Sequence, residues 1–165
     1  YQMTFDNQQQ QCYQCKIVII GDSTVGKTSL LQQFIKDSTD SSLVPTVGVS
    51  FMQKQVKINE NNYKIELYDT AGQERFNSLV PMYYQKANVC IIVFDITNKI
   101  TFERVEYWEH ELNKFANIDG QQIVRVIVGN KIDLSTQQQI NEEEIQEWCR
   151  KKNLKYYKVS ALKGT

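Results

Sequence analysis

Apolar residues form nearly continuous runs at positions 17–20, 89–94 and 123–128, the last interrupted only by Arg125. Runs of this length suit strands buried on both faces of a parallel sheet. Between them, Leu30, Leu31, Phe34 and Ile35 recur at the spacing of one helical face. Residues 103–115 and 142–152 read as further helices, the second with Asn141 as its N-cap. Residues 51–58 alternate, with Val56 and Ile58 on one face; "NENN" then turns the chain into 63–68, where Ile65 and Leu67 alternate again, so a hairpin is expected. A short strand near 155–159 completes the pattern. Strands alternating with helices predict a doubly wound α/β domain: a six-stranded, mostly parallel sheet with one antiparallel strand and helices on both faces. Ligands of such sheets bind beyond the carboxyl ends of the strands.

The first residues change that picture little. Residues 1–13 are polar, include the run Gln8 to Gln11, and lack either periodicity, so 1–14 is expected to be a flexible extension and 15–165 the folded domain. Lys plus Arg (19) balances Asp plus Glu (19), which gives no reason to expect nucleic acid as a partner. No apolar run approaches the roughly 20 residues of a membrane helix, and the glutamine-rich start lacks the core of a secretory signal. A cytoplasmic protein is expected. Cys12 and Cys15 form a lone C-x-x-C with no second pair or histidine cluster to complete a metal site, and read as incidental thiols. Cys90, inside an apolar run, reads as core.

Candidate chemistry sits where strands end. "GDSTVGKT" follows the first strand and opens a helix, placing Gly21, Gly26, Lys27 and Thr28 in the G-x-x-x-x-G-K-[ST] pattern. Small residues let backbone N–H groups converge on phosphate oxygens at the positive end of the helix. Lys27 is expected to reach the terminal phosphates, and the Thr28 hydroxyl to ligate Mg²⁺. "DTAGQE" follows the second hairpin strand. Asp69 there can hold Mg²⁺ through water, Gly72 leaves its N–H open to a γ-phosphate, and Gln73 can orient an attacking water. "NKID", residues 130–133, follows the 123–129 strand. The Asp133 carboxylate can accept from guanine N1–H and N2, groups that adenine does not present in that arrangement. The stem of Lys131 can lie along the base.

"GDSTVGKTS", "PTVGVSF", "LYDTAGQERF", "MYYQKANVCIIVFDITN", "NKID" and "VSA" together resemble the ordered motifs of a Ras-superfamily small GTPase, over residues 16–161. "VGVSF", "KIELYD", "RFNSL" and "MYY" resemble the Rab subfamily, and "SLVPMYY" is most similar to its endocytic branch. The resemblance implies a GTP/GDP site with Mg²⁺ held by Thr28 and Thr46 directly and by Asp69 through water. It implies phosphate contacts from Ser23, Thr24, Val25, Gly26, Lys27, Thr28 and Ser29, and γ-phosphate sensing by Gly72. Catalysis would rest on Gln73, Lys27 and Gly72, and guanine selection on Asn130, Lys131, Asp133, Ser160 and Ala161. Segments around Thr46 and Gln73 would be switches ordered by γ-phosphate.

The sequence departs from the family in places. No aromatic residue lies between Lys36 and Ser50 to pack on guanine, Leu162 replaces the lysine of S-A-K, and Tyr68 replaces a tryptophan. Ser23 and Thr24 stand where many relatives have glycine. The family's C-terminal helix and its prenylated tail have no counterpart before Thr165, so the helix is expected to be absent, and membrane attachment requires a lipidated tail outside this chain.

Two functions follow as expectations. One is a slow GTP hydrolase acting as a switch in vesicle trafficking, in the cytoplasm or on the cytoplasmic face of endomembranes. Its partners would be an exchange factor, an activating protein and effectors reading Phe51, Tyr68, Phe76 and Tyr83. With no arginine placed to act in cis, Arg75 included, turnover would await charge supplied by an activator. The alternative is a nucleotide-bound scaffold subunit of a larger assembly with little turnover.

Overall fold

The structure, a computed structural model, describes residues 12–36, 49–70, 83–115 and 122–165. The expected site residues Thr46, Gly72 and Gln73 lie outside them, as do Arg75 and Phe76. Strand β1 (Cys12–Ile20) leads through the glycine loop into α1 (Lys27–Lys36). The hairpin follows as β2 (Val49–Ile58) and β3 (Asn61–Thr70), then β4 (Val89–Asp95), α2 (Lys99–Glu103), α3 (Val105–Phe115), β5 (Val124–Asn130), a 3-10 turn, α4 (Glu142–Lys151) and β6 (Lys155–Lys158).

The six strands lie in the order β2-β3-β1-β4-β5-β6. Only the β2/β3 pair is antiparallel, as the hairpin signal predicts. β1 enters first and is flanked by β3 and β4, so the crevice at its carboxyl end is the switch point at which doubly wound sheets bind ligands. Register aligns the chemistry there: Ile19 pairs with Asp69, and Asp95 pairs with Asn130.

Alternate residues of the strands feed two cores. One face buries Val18, Ile20, Cys90, Ile92, Phe94 and Ile127 against Phe102, Val105, Trp108, Leu112 and Ile145 of α2, α3 and α4. The other buries Ile19, Met52, Leu67, Val93 and Val128 against Leu31 and Ile35 of α1. Cys90 is core as expected, and burial pushes its thiol up to about 12.

Three expectations are corrected. β1 begins at Cys12, so residues 12–14 belong to the sheet rather than to an extension; Tyr13 stacks on Tyr63 of β3 at 5.4 Å. The hairpin itself forms as expected, with Met52 buried in the core, Val56 half-buried and Ile58 52% exposed. Phe34 is exposed, with the Lys54 ammonium 4.2 Å above its ring. The helix after β4 starts at Lys99 and breaks at Arg104, with Asn98 as its N-cap. The C-x-x-C lies in a strand, where residues three apart face opposite ways; Cys12 is exposed and Cys15 half-buried, both free thiols.

Asn141 does cap α4: its side chain accepts from the Glu143 N–H at 2.9 Å. Asn141→Ala is expected to cost about 1 kcal/mol, read as a lower urea midpoint with an unchanged m-value.

Candidate functional site

The phosphate loop, residues 21–26, is shaped by backbone that side chains resist. Gly21 has φ +137°, and a Cβ there would lie 2.2 Å from the Val93 carbonyl oxygen, so only glycine lets the loop cross β4 this closely. Gly26 has φ +94°, and a Cβ there would lie 2.3 Å from Asn130 Nδ2. Thr24, a β-branched residue, also holds a positive φ of 66°, a conformation such residues adopt only when neighbouring structure enforces it.

Lys27 is buried at the start of α1, and its ammonium donates to the carbonyls of Gly21 (2.9 Å) and Asp22 (2.7 Å). Burial lowers its pKa, with the charges of Asp69 and Asp22 opposing that shift. Thr28 Oγ1 donates to Asp69 Oδ2 at 2.5 Å. Asp69 is 5% exposed, and its other oxygen, Oδ1, has no hydrogen-bond partner among the described residues. Burial raises the Asp69 pKa against the Thr28 hydrogen bond and the Lys27 charge. A buried carboxylate with one orphaned oxygen beside a threonine hydroxyl is a hard oxygen donor set suited to Mg²⁺, so these residues fit that ion.

The "NKID" segment and the turn at 160–161 form at the ends of β5 and β6. Asn130 is 1% exposed and ties two motifs together: its Nδ2 donates to the Val25 carbonyl (2.8 Å) and its Oδ1 accepts from the Ala161 N–H (3.1 Å). Lys131 takes a left-handed φ of 71°, and its ammonium pairs with Asp95 Oδ2 at 2.5 Å. Burial disfavours charge on Asp95, but hydrogen bonds from Lys131 and Thr97, with the Lys131 charge, hold its carboxyl below the usual range. Ser160 Oγ donates to Asp133 Oδ1 at 2.5 Å, which leaves Asp133 Oδ2 for a ligand and fixes the carboxylate's direction. The Ala161 N–H is already used by Asn130.

A cleft of about 480 Å³ joins these segments. It is lined by Thr24, Gly26 and Ser29, by Asn130, Lys131, Asp133 and Ala161, and by Gln32, Gln33 and Lys36 of α1 with Leu134 and Leu162. The cleft thus joins the glycine loop to the 130–133 segment, while Thr28 and Asp69 lie outside its lining. Leu162, in the lysine position of S-A-K, is 80% exposed at the rim. Sequence reasoning missed Asp95, whose only signal was an acid closing the apolar run at 89–94, and missed the α1 lining, where Gln32 and Gln33 carry no motif.

A doubly wound sheet with this loop, acid and turn at one edge is a P-loop guanine-nucleotide-binding domain. The Ras family model matches residues 16–165, and the chain belongs to that family, within its Rab subfamily of small GTPases. It is a GTP hydrolase. It is 39% identical over 152 residues to "Ras-related protein Rab-7a" of Paramecium octaurelia, covering 91% of this chain and 74% of that protein. It is 39% identical to "GTP-binding protein YPT53" of Saccharomyces cerevisiae, covering 90% and 69%. Identity to "Ras-related protein Rab7" of Drosophila melanogaster is 37%, covering 90% and 72%.

Proposed function

We propose that the protein is a Mg²⁺-dependent GTP switch of the endocytic Rab type, with slow intrinsic turnover, acting in vesicle trafficking at the cytoplasmic face of endomembranes. The observation that carries this reading is the cleft that joins Thr24, Gly26 and Ser29 of the glycine loop and α1 to Asn130, Lys131 and Asp133, with the Thr28–Asp69 pair beside the same loop. Mg²⁺, held by Thr28, Thr46 and Asp69, would supply charge stabilisation at the β- and γ-phosphates. Lys27 would meet the same oxygens, Ser23, Thr24, Val25 and Ser29 would line the phosphates, Gly72 would sense the γ-phosphate, and Gln73 would orient water. Asn130, Lys131, Asp133, Ser160 and Ala161 would select guanine. Among the described residues no helix is long and apolar enough to cross a membrane.

An exchange factor, an activating protein and effectors would be the partners. An aromatic cluster that borders the expected switch segments in sequence supports an effector surface: Phe51 and Tyr68 rings lie 5.1 Å apart, Tyr68 and Tyr83 6.0 Å, with the Lys16 ammonium 4.7 Å from the Tyr68 ring. All three rings are half-buried, so each offers an edge to a partner while anchored in the fold. Phe76 would join them.

The test is to identify the nucleotide released on denaturing protein purified with Mg²⁺, then to follow a single turnover of GTP. GDP in the purified protein, and slow Mg²⁺-dependent hydrolysis, are expected; Gln73→Leu should slow that hydrolysis about tenfold or more. Stoichiometric GTP that is never cut would overturn the switch in favour of the scaffold.

A further inference from the structure

We infer that Asp22, Arg104 and Trp108 form a latch that positions the phosphate loop, and through it the Lys27 ammonium, from the side of α3. Asp22 has a different neighbour at each end. Its Oδ1 accepts from Trp108 Nε1 at 2.8 Å and pairs with Arg104 Nε at 3.0 Å. Its backbone carbonyl accepts from Lys27 Nζ at 2.7 Å. A lysine ammonium has three donors. Two are directed at the Gly21 and Asp22 carbonyls, so the placement of those carbonyls aims the third.

The helix does not need this contact to find its seat. Phe102, Val105, Trp108 and Leu112 already pack in the core beneath it, and the Trp108 ring would stay buried without its N–H bond. The loop does need it. Ser23 and Thr24 are exposed, Thr24 is in the left-handed region, and Gly21 supplies no side chain. Asn130 grips the loop at Val25, and Arg104 with Trp108 grips it at Asp22, so two distant contacts bracket the strained residues. Arg104 and Trp108 are one helical turn apart, with the Trp108 N–H bonded to the Arg104 carbonyl, which presents both donors to one oxygen. Arg104 follows the last residue of α2 with φ −77° and ψ −9°; the break between α2 and α3 turns its side chain toward the loop.

The latch rests on the phosphate-site reading above and makes a selective prediction. GMP shares the guanine contacts of GDP but lacks the β-phosphate that Lys27 reaches. Weakening the latch should therefore cost GDP affinity and spare GMP. Arg104→Gln removes the charge, and Trp108→Phe removes the N–H while keeping a ring in the core. Each is expected to lower GDP affinity about tenfold, the cost of one charge-assisted bond, and to leave GMP affinity within about twofold. Arg104→Lys, which keeps a cation near Asp22, should recover most of the loss.

Competition titrations with GDP and GMP on the full chain, with thermal unfolding in parallel, read this out. An unchanged GDP/GMP affinity ratio, or an equal loss for both nucleotides, would overturn the latch. If Arg104→Gln fails to fold, Asp22→Asn and Trp108→Phe report the same ratio. Failure of the unaltered protein to bind GDP would instead overturn the nucleotide reading itself.

Discussion

Asn130→Ala is expected to release GDP about a hundredfold faster and to destabilise the fold by about 2–4 kcal/mol. Beside its proposed part in selecting guanine, the side chain joins two parts of the site. One amide bonds the Val25 carbonyl in the phosphate loop and the Ala161 N–H in the turn after β6, from a position that is 1% exposed. Truncation strands a buried carbonyl and a partly buried N–H, and each unsatisfied group costs about 1–3 kcal/mol. It also leaves space against Gly26, whose absent Cβ is what admits the amide. Urea unfolding without nucleotide gives the stability term, and release of a fluorescent GDP analogue gives the kinetic one. Asn130→Asp separates the two bonds, because it keeps the acceptor for Ala161 and sets a carboxylate against the Val25 oxygen. A variant that unfolds early yet releases GDP at the parent rate would show that the bridge serves the fold alone.

The second large effect has stability and function moving independently. Asp69→Asn should bind GDP with little benefit from millimolar Mg²⁺, a loss on the order of a hundredfold relative to the parent, while unfolding within about 1 kcal/mol of it when nucleotide and metal are absent. The carboxylate is buried with Oδ1 unpaired, and burial raises its pKa. At pH 7 an unfolded chain carries this group ionised and fully solvated. A raised folded pKa therefore means that the buried charge opposes folding there. The amide removes that opposition and can keep the Thr28 bond through its carbonyl oxygen. Lys27 loses a favourable charge at the same time, which offsets the gain. GDP titrations with Mg²⁺ and with EDTA, beside urea unfolding, test the pair of claims. Full Mg²⁺ dependence in the variant would remove Asp69 from the metal site.

The elements and the motifs were legible because their signals are local. Strand runs at 17–20 and 89–94, the Asn141 cap and the loop glycines act within a few residues of themselves, and motif order places each motif at a strand end. The start of β1 was not legible. Cys12 to Gln14 alternate without an apolar face, and their pairing depends on Asn62 to Lys64 across the sheet. The hairpin was legible from its alternation, but its depth of burial was not: Met52 is buried while Ile58, on the same face, is 52% exposed.

The chain alone determined the order of strands and helices, the glycine loop and the place of "NKID" at a strand end, since hydrophobic period and glycine geometry are encoded residue by residue. Only the tertiary structure decided which polar groups hold one another. Asn130 with Val25, Asp69 with Thr28, Lys131 with Asp95 and Asp22 with Trp108 meet across dozens of residues or more. Sheet register and helix seating bring them together, and neither leaves a periodic trace in the residues it joins.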